Sequence, residues 1–75
     1  MKEATFFTGN TFTRDEANRV CAQFVNVRIE DDQGTHFRVV VRDLDGSLVW
    51  RTWNFEPDGT WYLNKYIASD GVKKQ

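Results

Sequence analysis

Cysteine occurs once among the 75 residues, at Cys21, so no disulfide can close within the chain. Small secreted domains usually depend on such bridges, and a reducing cytoplasm is therefore the expected location. No apolar run approaches the ~20 residues that span a bilayer, and no secretory apolar segment is visible. No membrane association is expected. Charge of one sign is also missing, because ten Lys and Arg face eleven Asp and Glu, for a net charge of −1. That balance gives no bulk pull toward nucleic acid or an anionic surface. Soft metal ligands are limited to Cys21 and His36, too few for a structural zinc site. No Gly-rich phosphate loop is found.

Hydrophobic residues make up 40% of the chain and aromatics 15%. The length allows one domain with a thin core, in which each buried aromatic counts for much. Residues 1–11 are polar apart from Phe6 and Phe7 and read as a flexible N-terminal lead-in. A single domain is expected over 12–72, with a short basic tail at 73–75.

Thr13-Arg14-Asp15-Glu16 is a capping box, in which hydroxyl and carboxylate each take a backbone N–H of the other residue. Ala17, Val20, Cys21 and Phe24 follow at helical spacing, so a helix is expected over 14–24. The period then becomes two. Val25, Val27 and Ile29 alternate with Asn26, Arg28 and Glu30, which marks a half-buried strand. Asp31-Asp32-Gln33-Gly34 suits a type I turn closed by a left-handed Gly. In the next strand Phe37, Val39 and Val41 alternate with Arg38, Val40 and Arg42. Pairing through the turn sets Ile29 opposite Phe37, Val27 opposite Val39 and Val25 opposite Val41, all on one face.

Asp43-Leu44-Asp45-Gly46 is a second turn of the same kind, and the strand after it has two registers. A Gly bulge sends Val49, Arg51 and Trp53 to the core face. A two-residue turn sends Leu48, Trp50 and Thr52 there instead. The turn residues favour the first, and the cost of burying Arg51 favours the second. Pro57 ends the strand and Asp58 can cap a helix. Tyr62, Leu63, Tyr66 and Ile67 recur at helical spacing, and Asp70-Gly71 suits a left-handed stop with Val72 folding back. The expected fold is α+β, in two layers: α-β-β-β-α, a three-stranded antiparallel sheet with both helices on one face.

The runs Phe12-Thr13-Arg14, Glu30-Asp31-Asp32-Gln33-Gly34, His36-Phe37-Arg38 and Val41-Arg42-Asp43 resemble the YkfF-like family. So do Val49-Trp50-Arg51, Trp53-Asn54-Phe55-Glu56-Pro57-Asp58, Leu63-Asn64 and Tyr66-Ile67. The likeness covers nearly all of residues 12–72. It implies a small protein of an enterobacterial plasmid or prophage-like element, of unknown function, with no catalytic residues to carry over. The element order is also similar to the double-stranded RNA-binding fold, as topology only. That fold reads duplexes with basic residues at the start of its second helix, where this chain has Glu56 and Asp58.

Catalytic chemistry finds little support. Cys21 lies on the buried face of the first helix, where a thiol acts as a small hydrophobe. His36 has no nucleophile motif beside it. Glu30, Asp31 and Asp32 read as a solvated turn, and Asp43 and Asp45 as turn formers rather than calcium ligands. No enzyme activity and no cofactor are expected. The sheet face away from the helices offers more. Arg28, Arg38, Val40 and Arg42 project from it, joined by Trp50 in one register or by Arg51 and Trp53 in the other. Such a surface can cover itself through cross-strand and cation–π contacts. It can anchor a protein partner or a second copy of the chain. Alternatively, it can stack bases and pair phosphates as a nucleic-acid-binding module.

Overall fold

The computed structural model describes residues 6–75. Helix α1 spans Arg14–Cys21, strands β1, β2 and β3 span Val27–Glu30, Arg38–Arg42 and Leu48–Trp53, and helix α2 spans Gly59–Asp70. The strands form one antiparallel sheet in the order β1-β2-β3. Ala17 and Val20 of α1, Leu63 and Ile67 of α2, and Val27, Val39 and Val41 of the sheet belong to one buried cluster. Both helices therefore cover the same sheet face. This is the α+β, two-layer α-β-β-β-α arrangement expected from the sequence.

The capping box forms as its residues dictate. The Thr13 N–H donates to Glu16 Oε1 at 3.1 Å, and the Glu16 N–H donates to Thr13 Oγ1 at 3.2 Å. The helix stops at Cys21 rather than at residue 24, because the chain beyond it is drawn into a different pairing. The Val25 N–H donates to the Val72 carbonyl at 2.8 Å, and the Lys74 N–H to the Gln23 carbonyl at 2.9 Å. Phe24 and Lys73 face each other in a bridge. Val25 thus leaves the sheet and is exposed, which corrects its expected place opposite Val41.

The first hairpin keeps its faces but not its register. Ile29 pairs with Val39 and Val27 with Val41, two residues away from the expected partners. An even displacement returns the same side chains to the core. Its cause is at Phe37, which continues the ladder toward β3 instead of meeting Ile29. The Phe37 N–H donates to Asn54 Oδ1 at 3.2 Å, and the Asn54 N–H donates to the Phe37 carbonyl at 3.0 Å.

The third strand combines the two alternatives. Gly46 has φ 92°, and the Asp43 N–H reaches the Ser47 carbonyl at 2.9 Å, as a turn closed by a left-handed Gly requires. Arg42 accordingly pairs with Leu48. Val41 then pairs with Trp50, so Val49 is an extra residue on β3. This bulge resets the alternation. Trp50 and Thr52 take the core face, and Arg51 and Trp53 the open one. The turn chemistry is satisfied and Arg51 stays exposed.

Two close approaches set α2. A Cβ at Gly59 would collide with the Thr52 methyl, so only glycine lets the helix start this near β3. Asp58 holds the N-cap position at φ 59°, but its side chain makes no capping bond. Gly71 is not left-handed, contrary to expectation, with φ −66° and ψ 133°. A Cβ there would lie 2.5 Å from the Ile67 carbonyl oxygen and 2.9 Å from the Phe24 ring, so space rather than dihedral freedom demands glycine.

The lead-in expected at 1–11 docks from Phe6 onward, while residues 1–5 lie outside the described residues. Asn64 Oδ1 accepts from the N–H groups of Phe6 and Phe7, both at 2.9 Å, and Asn64 Nδ2 donates to the Phe7 carbonyl at 2.9 Å. Phe7 and Phe12 are buried, their ring centroids 4.7 Å apart, and Phe12 meets Phe37 at 5.8 Å. In a chain this short the core needs these rings, and their burial repays the ordering of the segment.

Candidate functional site

Six of the seven singled-out residues share the open sheet face. Arg28 pairs with Val40, which pairs with Arg51, in one row across all three strands. Next to it runs the row Glu30, Arg38 and Trp53. Arg42 stands at the other end. Trp50 does not belong to this surface. It lies on the core face, stacked on Tyr62 and Tyr66 with centroids 5.1 Å from each, and its Nε1 donates to Thr52 Oγ1 at 2.8 Å. The bulge at Val49 is the reason.

Much of the open face covers itself. Val40, expected to present apolar area, is only 2% exposed. The Arg38 guanidinium lies 4.3 Å from the Trp53 ring centroid and 3.3 Å from Asp31. Its buried Nε has no hydrogen-bond partner among the described residues. Trp53 in turn stacks on Phe55, which meets His36. Arg42 grips Glu30 through Nε and Nη2, both at 2.9 Å, and also reaches the Gly46 carbonyl at 3.0 Å. Hydrogen bonding and the charge of Arg42 hold the Glu30 carboxyl below its ordinary range, and the same pairing raises Arg42. What remains free is the pair Arg28 and Arg51. Both are exposed, and neither forms an ion pair among the described residues. They flank Val40, about 10 Å apart across two strand spacings.

Other candidates have structural occupations. Asp43 Oδ1 accepts from the N–H groups of Asp45 and Ser47 at 3.0 and 2.9 Å, as a turn former. Asp32 takes a two-pronged contact from Arg14 at 2.7 and 2.8 Å and the Gly34 N–H at 2.9 Å, which lowers its carboxyl and raises Arg14. Arg14 also sits over the Phe37 ring at 4.5 Å. Burial pushes the Cys21 thiol up to about 11, so at neutral pH it is a protonated, apolar side chain. Among the described residues no three His, Cys, Asp or Glu side chains gather to hold a metal ion, and no helix is long and apolar enough to cross a membrane.

Sequence reasoning missed two features. One is the set of asparagines that fasten irregular chain to the core: Asn26, Asn54 and Asn64. Their side chains carry no periodicity, and nothing in the pattern distinguishes them from surface residues. The other is an open groove of about 550 Å³ between α1 and the outer edge of β1. Cys21 and Ala22 on one wall and Val27, Arg28 and Ile29 on the other suggest it only once the helix is placed over the strand.

The geometry defines a small two-layer α+β domain with a basic, largely self-packed sheet face. Residues 6–74 match the family described as "Bacterial protein of unknown function (DUF905)", and the chain belongs to that family. It is 47% identical over 73 residues to the UPF0401 protein YkfF of Escherichia coli K12, covering 97% of this chain and 92% of that one. A UPF0401 protein of the uropathogenic E. coli strain 536 is 55% identical over 64 residues, 85% of this chain and 83% of the other. The family resemblance read from the sequence is thereby borne out. The family is uncharacterised and has no enzymatic name.

Proposed function

We propose that this protein is a non-enzymatic interaction module, a cytoplasmic accessory protein of a plasmid or prophage-like element, which binds a protein partner through its open sheet face. The observation that carries the proposal is the row Arg28, Val40, Arg51. Two exposed guanidiniums without an ion-pair partner among the described residues stand on either side of a buried valine, while the neighbouring arginines are already engaged. Unpaired arginines beside apolar side chains are the usual makings of an interaction hot spot. Carboxylates of a partner would complete the row.

A nucleic acid is the second reading, favoured by the same arginines and by Trp53. Against it stand the net charge of −1 and the carboxylates of Glu30 and Asp31 on or beside the same face. An amide chemical-shift titration with single-stranded DNA, duplex DNA and duplex RNA, at low and at physiological salt, separates the two. Binding of phosphates weakens steeply with salt. Flat spectra at low salt are expected. Salt-sensitive shifts on Arg28, Arg38, Arg42, Arg51 and Trp53 would overturn the protein-partner reading in favour of nucleic acid.

A further inference from the structure

Strand β1 is an edge of the sheet, and the parity of its ladder shows which backbone groups are used. The Arg42 N–H donates to the Asn26 carbonyl at 3.0 Å, so Asn26 and Arg42 form a hydrogen-bonded pair. In an antiparallel ladder such pairs alternate. Arg28 with Val40 and Glu30 with Arg38 are therefore the next bonded pairs, and the N–H and C=O groups of Val27 and Ile29 point away from β2. No other strand pairs with β1, and no hydrogen bond reaches those four groups among the described residues. Val27 is 2% exposed and Ile29 half-buried. Unpaired N–H and C=O groups along an edge strand are a template for pairing with another chain.

These groups line the groove between α1 and β1. Its walls and floor are Cys21, Ala22, Phe24, Val27 and Ile29, and the charged residues lining it are Arg28 and Lys74. Among the described residues no carboxylate lines it. We propose that this groove accepts an extended acidic peptide segment of a partner protein as a fourth strand beside β1. The incoming backbone bonds to the N–H and C=O groups of Val27 and Ile29. Alternate side chains of the segment, apolar ones, enter against Cys21, Ala22 and Phe24. The carboxylates between them reach Arg28 and Lys74. Strand addition of this kind draws affinity from the main chain and selectivity from the pockets between. The proposal rests on the protein-partner reading above and gives that partner a shape and a charge. Arg28 belongs to both surfaces, so one segment can occupy the groove and turn its acids toward the open face.

The test uses the whole chain and a short blocked peptide alternating valine with glutamate, followed by amide chemical shifts and hydrogen exchange. The same peptide with lysine for glutamate is the control. Shifts and slowed exchange at the Val27 and Ile29 amides with the glutamate peptide alone are expected. Ala22→Trp, an exposed position on the groove wall, should weaken binding at least about tenfold by filling the groove. Ile29→Pro removes an outward N–H while sparing the ladder to β2, and a matching loss is expected. Ala68→Glu, at an exposed position of α2 outside the groove lining, should leave peptide protection of Val27 and Ile29 intact. Shifts confined to Arg28, Arg51 and Trp53 would overturn strand addition and leave the open-face reading standing. Equal binding of the lysine peptide would overturn the charge assignment. No shift anywhere at millimolar peptide would overturn both.

Discussion

The Cα of Gly59 rests directly against the methyl group of Thr52, and this contact fixes how closely α2 approaches β3. Gly59→Ala inserts a Cβ where Thr52 Cγ2 already stands. Overpacking of this kind typically costs about 1–3 kcal/mol, readable as a lowered urea midpoint. Thr52→Ser removes the methyl and keeps the hydroxyl that accepts from Trp50 Nε1. The double variant should therefore recover part of the loss. Simple additivity of the two changes would show that the contact does not limit the helix.

Asn26, 6% exposed, ties three segments together. Its Nδ2 donates to the carbonyls of Arg42 at 2.7 Å and Asp70 at 2.9 Å, and its Oδ1 accepts from the Val72 N–H at 2.8 Å. Asn26→Leu keeps a similar volume and strands all three backbone groups. A loss of about 2–4 kcal/mol in chemical denaturation is expected, since each buried orphan costs about 1–3 kcal/mol. A change below about 0.5 kcal/mol would mean that the C-terminal segment docks without this clamp.

Arg38 looks like a free cation of the open face in the sequence, and its removal would then leave stability untouched. In the structure it covers Trp53 and pairs with Asp31. Arg38→Ala should cost about 1 kcal/mol through the lost cation–π contact and stem packing. Arg51→Ala, with no such partner among the described residues, should be neutral within about 0.5 kcal/mol. Equal midpoints for the two variants in urea would contradict the self-covered picture of this face.

Acid should weaken the fold through Glu30 and Asp32, whose carboxyls Arg42 and Arg14 hold below their ordinary values. A depressed folded-state pKa contributes stability that is present above the unfolded-state value, about 4, and is lost as pH falls through the folded value. Thermal melts between neutral pH and about pH 2.5 should show this decline. Asp32→Asn should start from a lower melting temperature at neutral pH and fall less steeply on acidification. A parent melting temperature that is flat below about pH 4 would contradict the assignment.

Much of this fold is legible in the sequence because several signals agree. The capping box, the period-two alternation and the left-handed turn glycines each arise from local sterics and hydrogen bonding. Together they give the element order and the faces of β1 and β2. The remainder depends on groups distant in sequence. Phe37 leaves its expected partner because Asn54 claims its backbone, and α1 ends early because Val72 and Lys74 pair with Gln23 and Val25. The bulge at Val49 reconciles a turn requirement with the cost of burying Arg51, and neither is sufficient to reveal it. At the open face the arginines were readable from alternation. Their division into engaged and free was not, since it turns on whether a carboxylate or a ring stands opposite.

The most direct test of the central claim is site-specific photocrosslinking in Escherichia coli, the organism of the family relatives. A photoreactive amino acid replaces Leu48, exposed on the open face beside Arg42, or, as a control, Ala68, an exposed residue of α2. The account predicts one discrete protein adduct from position 48, none from position 68, and loss of the adduct when Arg28→Glu and Arg51→Glu are added to the variant with the probe at position 48. Absence of any protein adduct at position 48, or the same adducts from both positions, would contradict a partner-binding role for this face.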